Sequence, residues 1–167
     1  MRIDEEGLLF GDFELSDCFH IEKTKLYSKL SGRGFKSVEF VLHRPQKHEL
    51  LFVEGKTTLP SIDNKVKYND EIVEISQKFM DSLQLTCGIW FGRHNGNVAV
   101  PANSSYFFSY GIQIVFVLVI KNRKGNLVRI AEEIKRKISR EHKLWRFDVL
   151  VLNEDDARTH NLVVLEE

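Results

Sequence analysis

The feature that most constrains the fold is an unbroken apolar segment in the second half of the chain. Residues 113–121 read Gln-Ile-Val-Phe-Val-Leu-Val-Ile-Lys, which is rich in β-branched side chains and shows no alternation with polar ones. A strand that is apolar on both faces is buried on both faces, whereas a half-exposed strand alternates. The segment therefore predicts a central strand, and helices are expected to cover its sheet.

The rest of the chain supplies the other elements of such a fold. The pattern predicts strands at 35–43, 49–57, 89–91, 147–152 and 162–165, and helices at 22–30, 68–85, 126–142 and 153–160. The first two strands are joined by a short polar turn that contains Pro45, which favours an antiparallel hairpin. The helix at 68–85 is expected to begin at a cap formed by Asn69 or Asp70. The expected fold class is α/β, with a mixed central sheet flanked by helices.

Length and composition limit the class of protein. The chain has 167 residues, of which 43% are hydrophobic and 29% charged, so we expect one globular domain over residues 1–167. The 24 Lys and Arg residues balance the 24 Asp and Glu residues. Dedicated nucleic-acid binders usually carry a basic excess, so this balance argues against a histone-like protein. An enzyme whose acidic metal site offsets a basic rim remains compatible with it.

The cysteines and the apolar segments indicate the compartment. Cys18 and Cys87 have no second Cys or His at the spacing of zinc ligands, which favours free thiols in a reducing compartment. The first residues are acidic and do not resemble a signal peptide. The longest apolar run, at 114–120, is too short to span a bilayer. We therefore expect a cytoplasmic protein with no membrane partner.

The pattern most specific for chemistry lies where the second predicted strand ends. Glu54 and Lys56 are two residues apart after an apolar run, so both point to one face of the strand. Placing both charges there is costly unless they are paired or used in a reaction. The hairpin is expected to bring Glu39, on the preceding strand, close to Glu54. The alternatives are a salt bridge between Glu54 and Lys56 at a sheet edge and an exposed position for Glu39.

Two neighbouring carboxylates repel each other unless a positive charge lies between them. A divalent cation, with Lys56 beside it, would satisfy Glu39 and Glu54, and oxygen ligands suit Mg²⁺ or Mn²⁺. The backbone carbonyl of Gly55 would be a third ligand. Such a metal would stabilise charge on a phosphate, while Lys56 holds or activates the nucleophile.

At these residues the chain resembles the PD-(D/E)xK nuclease superfamily, which includes restriction endonucleases and resolvases. The resemblance covers about residues 35–85 and the coarse order of the later elements. The triplet Glu54-Gly55-Lys56 matches the E-x-K of that family, in which the acid binds metal and the lysine is catalytic. Glu39 stands where the family has Asp, and no Pro precedes it. The resemblance implies a restriction-endonuclease-like core with metal ligands at Glu39 and Glu54.

Accessory residues are also implied by the resemblance. The family often carries polar residues on the next helix, where Gln77 and Lys78 lie, and sometimes an extra acid, for which Glu22 is the candidate. Gln77 and Lys78 are more typical of an exposed helix surface than of a site. A basic region around 121–143 has the same two interpretations, an exposed face or a surface that follows phosphates.

These observations predict a Mg²⁺-dependent nuclease that hydrolyses phosphodiester bonds of DNA, in defence or repair. The alternative is an inactive nuclease-like domain that binds a protein or a nucleic acid. DNA or another nucleic acid is the expected partner, and a homodimer would let two sites cut two strands. The sequence assigns no role to the loop at 92–111.

Overall fold

The structure is a computed structural model that describes residues 1–94 and 111–165. Seven strands are defined there: β1 (Ile3–Glu5), β2 (Leu8–Phe10), β3 (Cys18–Phe19), β4 (Phe40–Arg44), β5 (Glu49–Lys56), β6 (Gln113–Ile120) and β7 (Asp148–Asn153). The α-helices are α1 (Lys25–Leu30), α2 (Lys65–Trp90), α3 (Leu127–Lys137), α4 (Ser139–Trp145) and α5 (Glu154–Thr159). Short 3₁₀ turns lie at Ile21–Lys23, Ser31–Arg33 and Pro45–Lys47.

Five strands form one mixed sheet in the order β3-β4-β5-β6-β7, and β1 and β2 form a separate hairpin. The neighbours β3, β4 and β5 run antiparallel, whereas β5, β6 and β7 run parallel. The predicted hairpin is confirmed as β4 and β5, joined through the turn at Pro45–Lys47. The predicted central strand is confirmed as β6, which lies between β5 and β7.

The sheet is covered on both faces, as the apolar β6 requires. Helices α1, α2 and α3 pack on one face, where Phe52 and Phe116 belong to the larger of two apolar clusters. The β1–β2 hairpin and α5 pack on the other face, where Phe10 and Val117 belong to the second cluster. The hairpin approaches closely because Gly55 has no side chain, and a Cβ there would lie 3.3 Å from the ring of Phe10. The mixed α/β class with flanking helices is therefore present.

Helix α2 is longer than the sequence predicts at both ends. It begins after Asn64, whose side chain accepts a hydrogen bond from the Lys67 amide, and not at Asn69 or Asp70. The strand expected at 89–91 is wrong, because the helix continues to Trp90. The buried positions of the helical pattern continue past the predicted end, through Thr86 and Ile89.

Two other predicted elements differ from the structure. The helix expected at 126–142 is interrupted at Ile138, which has a non-helical ψ of 37° and separates α3 from α4. The strand expected at 162–165 is reduced to an isolated bridge between Val163 and Phe10. The loop at 92–111 lies mostly outside the described residues. Among the helices that are described, none is both long and apolar enough to cross a bilayer.

The aromatic centre of the larger cluster gives a test of the fold. The ring of Phe116 lies 4.4 Å from that of Phe147 and 4.8 Å from that of Phe79. Replacing Phe116 by Ala leaves a cavity among these rings, so we expect a loss of about 3–5 kcal/mol in the free energy of unfolding, measured with urea. Leu144→Ala is the control, because Leu144 is 76% exposed. Equal losses in the two variants would contradict this packing.

Candidate functional site

The site is built on the end of β5, where the chain turns from apolar to charged. Leu50 and Phe52 pack under the helices, so Glu54 and Lys56, at the same parity, continue along this face. Glu54 is fully buried, at 0% exposure. A carboxylate in such a place needs a partner of opposite charge or a proton.

Glu39 lies opposite Glu54, at the point where the β4–β5 ladder ends. Its amide donates to the carbonyl of Val53 over 3.1 Å. Glu39 immediately precedes β4, in which Phe40 pairs with Val53, so it comes beside Glu54, and the Lys78 ammonium of α2 lies within 4.0 Å of both carboxylates. The structure thus brings Glu39, Glu54 and Lys56 onto one face of the sheet.

Helix α2 fixes the approach of the chain to Glu39. The predicted strand at 35–43 begins only at Phe40, because side chains of α2 accept the preceding amides. The Lys36 amide donates to Asp81 over 2.9 Å, and the Val38 amide donates to the buried Ser82 hydroxyl, also over 2.9 Å. These bonds anchor residues 36–38 to the helix, whereas the amide of Glu39 itself is bonded to β5.

Two lysines contact the carboxylates. The Lys78 ammonium lies 2.5 Å from Oε1 of Glu54 and 4.0 Å from Oε1 of Glu39. The Lys56 ammonium lies 3.9 Å from Oε1 of Glu54 and 2.9 Å from Oε1 of Glu71. Lys78 therefore bridges the two predicted ligand residues, and the idea that it is exposed helix surface is wrong.

Burial dominates the electrostatics of the carboxylates. Burial raises the pKa of Glu54 to about 8, although Lys78 opposes this and Glu39 adds to it. Burial likewise raises the pKa of Glu39 to about 7, opposed by Lys78 and reinforced by Glu5 and Glu22. For Lys78 itself, burial lowers the pKa, but Glu54 and Glu39 outweigh it and the pKa is raised. Two carboxylates that share one ammonium titrate as a pair.

The donor atoms that remain determine whether a metal fits. Within the described ranges, no three His, Cys, Asp or Glu side chains are placed to hold a metal ion. However, Oε2 of Glu54 is buried and has no hydrogen-bond partner. The carbonyl of Val53 points toward β4, so the carbonyl of Gly55 points toward the same edge of β5, past the end of β4. The buried oxygen, the Gly55 carbonyl and Glu39 are oxygen donors of the kind that a small hard cation prefers.

The other accessory candidates do not contact the carboxylates. Gln77 is exposed, and its amide donates to the Gly34 carbonyl over 3.1 Å and to Asp81 over 3.3 Å. Glu22 is exposed and accepts a hydrogen bond from Ser37 over 3.1 Å, and it acts on Glu39 only through its charge.

Sequence reasoning missed Glu71, and it weighed Lys78 as an exposed residue. A usable signal was the spacing of Glu71, Glu74 and Lys78, at i, i+3 and i+7 on one side of α2. This polar side adjoins the apolar positions Ile75 and Phe79, so it runs along the boundary of the core.

Comparisons with known protein families, with curated proteins and with solved structures find no match to this chain. What the site does is therefore argued from its own geometry.

The buried carboxylates make the stability depend on pH. The pKa of Glu54 is raised from 4.5 to about 8, so between these values the folded chain binds a proton that the unfolded chain releases. The contribution is complete below the unfolded pKa and is lost as pH rises through the folded pKa. We expect the free energy of unfolding of the wild type, relative to Glu54→Gln, to fall from about pH 5 to about pH 8.5 in urea titrations.

The control for this pH dependence is Glu132→Gln, because Glu132 is exposed on α3. Relative to that variant, the wild type should show little pH dependence over the same range. A stability that rises with pH relative to Glu54→Gln would contradict the raised pKa.

Proposed function

We propose that this chain is a Mg²⁺- or Mn²⁺-dependent phosphodiesterase of the PD-(D/E)xK type that acts on DNA. The observation that carries the proposal is the meeting of Glu39, Glu54 and Lys56 on one sheet face. The order of hairpin, helix α2 and parallel strand β6 is consistent with a restriction-endonuclease-like core.

The metal would be held by Glu39, by the partnerless oxygen of Glu54 and by the Gly55 carbonyl. When bound, it would supply Lewis-acid stabilisation of charge on the phosphate and favour ionisation of a bound water. Because the Lys78 ammonium now bridges the two carboxylates, a metal ion and Lys78 would compete for the same oxygens.

Lys56 is the chain's own candidate for contact with the reacting groups. Its ammonium lies at the end of β5, and Glu71 fixes its position from α2 over 2.9 Å. An ammonium held there would orient the attacking water or stabilise negative charge that develops on the phosphate. Glu71 would then be a positioning residue for Lys56.

The substrate, the biological role and the location are parts of the same proposal. A DNA substrate, a role in defence or repair and a cytoplasmic location all belong to it. Cys18 and Cys87 are both free, which is compatible with a reducing compartment. A homodimer would supply a second site for the second strand of a duplex.

One observation favours a second function. Lys78 already neutralises Glu54 through a 2.5 Å contact and lies near Glu39, so the carboxylates do not need a metal for charge balance. A scaffold that has replaced its metal by an ammonium would be an inactive nuclease-like module that binds a protein or a nucleic acid.

The catalytic assignment predicts the effect of removing Lys56. We expect Lys56→Met to lower Mg²⁺-dependent cleavage of plasmid and single-stranded DNA by about 10²-fold or more, since a positioned acid–base group contributes this much. Glu54→Gln should lower it similarly, whereas Glu132→Gln should leave it unchanged. Full activity in Lys56→Met, or none in any protein, would remove the assignment.

The competition between Lys78 and a metal predicts a gain of affinity. We expect Lys78→Met to bind Mn²⁺ roughly tenfold more tightly than the wild type in calorimetry. The metal would no longer have to displace the Lys78 ammonium from Glu54, and a tenfold change in affinity corresponds to about 1.4 kcal/mol. Lys36→Met is the matched control, since the Lys36 ammonium also pairs with an acid of α2, Glu74, over 3.2 Å, but lies outside the site. If wild type and Lys78→Met both give no heat with Mn²⁺, the metal-free module is the better description.

A further inference from the structure

A second polar cleft lies between α2 and α3, and it shares no residue with the carboxylate site. Its volume is about 190 Å³, and its lining includes Lys65, Tyr68, Arg129, Arg136 and Lys137. One acid, Glu133, lies among these four cations. The cleft therefore carries a net positive charge, which suits an anion.

The groups of the cleft are only partly engaged by the protein. The Arg129 guanidinium donates to Glu133 over 3.1 Å, and the Lys137 ammonium donates to Asn69 over 2.7 Å. Within the described part of the chain, Lys65 and Arg136 make no hydrogen bond or ion pair. The Lys65 ammonium is thus available to a ligand, and the Arg136 guanidinium interacts with Glu133 only through its charge.

The hydroxyl of Tyr68 is the observation that points to a ligand. The side chain is 6% exposed and lines the cleft, and its hydroxyl makes no hydrogen bond of normal geometry with the described residues, although the Glu133 carboxylate lies beside it. Burial first, and the neighbouring Glu133 next, raise the pKa of Tyr68 to about 12, so the hydroxyl keeps its proton. A buried donor of this kind is costly unless an acceptor reaches it.

Basic residues are concentrated in the part of the chain that supplies one side of this cleft. Residues 121–146 contain ten Lys and Arg residues against three Glu residues, although the whole chain is neutral. Another cleft, of about 460 Å³, is formed by the residues that come directly after β6 and β7, and it is lined by Lys121, Arg123 and Lys124. The two acids of that cleft are already paired with Arg158. Basic residues therefore line both clefts.

We propose that the α2–α3 cleft binds a phosphate group of a nucleic-acid strand, through Lys65, Arg136 and the Tyr68 hydroxyl. The cleft is smaller than the 300–1,000 Å³ typical of drug-sized ligands, so it takes a group and not a whole nucleotide. The basic residues of the other cleft, at Lys121, Arg123 and Lys124, would contact neighbouring phosphates. This inference rests on the proposed function, for which it supplies the contact that holds the substrate outside the carboxylate site.

The test measures binding without catalysis. Fluorescence anisotropy follows a labelled single-stranded DNA with a 5′-hydroxyl, in EDTA and at several salt concentrations. For Lys65→Gln/Arg136→Gln we expect the slope of log K against log salt to fall by about 1 to 2, since two phosphate contacts are lost. For Tyr68→Phe we expect roughly threefold weaker binding with an unchanged slope, since only a neutral hydrogen bond is removed.

The matched control is Lys25→Gln/Lys29→Gln, which removes the same charge from exposed positions on α1. Equal slope changes in the two double variants would overturn the proposal, because only diffuse charge would then act. Tyr68→Phe with unchanged DNA affinity would also overturn it. The proposal would also be overturned if Tyr68→Phe weakened the binding of inorganic phosphate but not that of DNA, because the cleft would then bind free phosphate. Unchanged melting temperatures exclude unfolding as the cause.

The two proposals fail separately in these measurements. Binding in EDTA that depends on the cleft, together with no cleavage in Mg²⁺, supports the phosphate cleft and removes the nuclease. Mg²⁺-dependent cleavage that is unchanged in the cleft variants, together with unchanged DNA binding, rules out the phosphate-cleft proposal and supports the nuclease proposal.

Discussion

The contact between the Lys78 ammonium and the buried Glu54 carboxylate is the interaction on which the candidate site depends. Without it, a carboxylate with no exposed surface would face Glu39 across the strand ladder, and repulsion would add to the loss of hydration. With it, both acids are held at one place by one flexible side chain. Chemistry at this site therefore depends on how readily Lys78 gives up its partners.

Helix α2 determines most of this geometry because it contacts the sheet and the chain that precedes β4. Lys78 reaches the carboxylates, while Ser82 and Asp81, one turn further along, accept the amides that lead into Glu39. The distance between the two acids is thus set by a helix from the middle of the chain. A shift of the helix along the sheet would move the ammonium and Glu39 together.

Much of this arrangement follows from the sequence alone. The hairpin, the central strand β6 and the common face of Glu54 and Lys56 are set by periodicity and by short local turns, which a single sequence displays. The place of Lys78 is not, because a lysine on a helix looks the same whether it meets water or a buried acid. The late start of β4 depends on Ser82, far along the chain, and no local pattern at Val38 shows it. Tyr68 is hidden in the same way, since its helical position marks it only as core.

Neutral overall charge conceals a strongly uneven distribution. The stretch from Lys121 to Arg146 holds a surplus of seven positive charges, so the remainder of the chain is negative by the same amount. The positive field around this stretch would attract a polyanion before any contact forms. Encounters would begin with the α3 side leading and would slow as added salt screens that field.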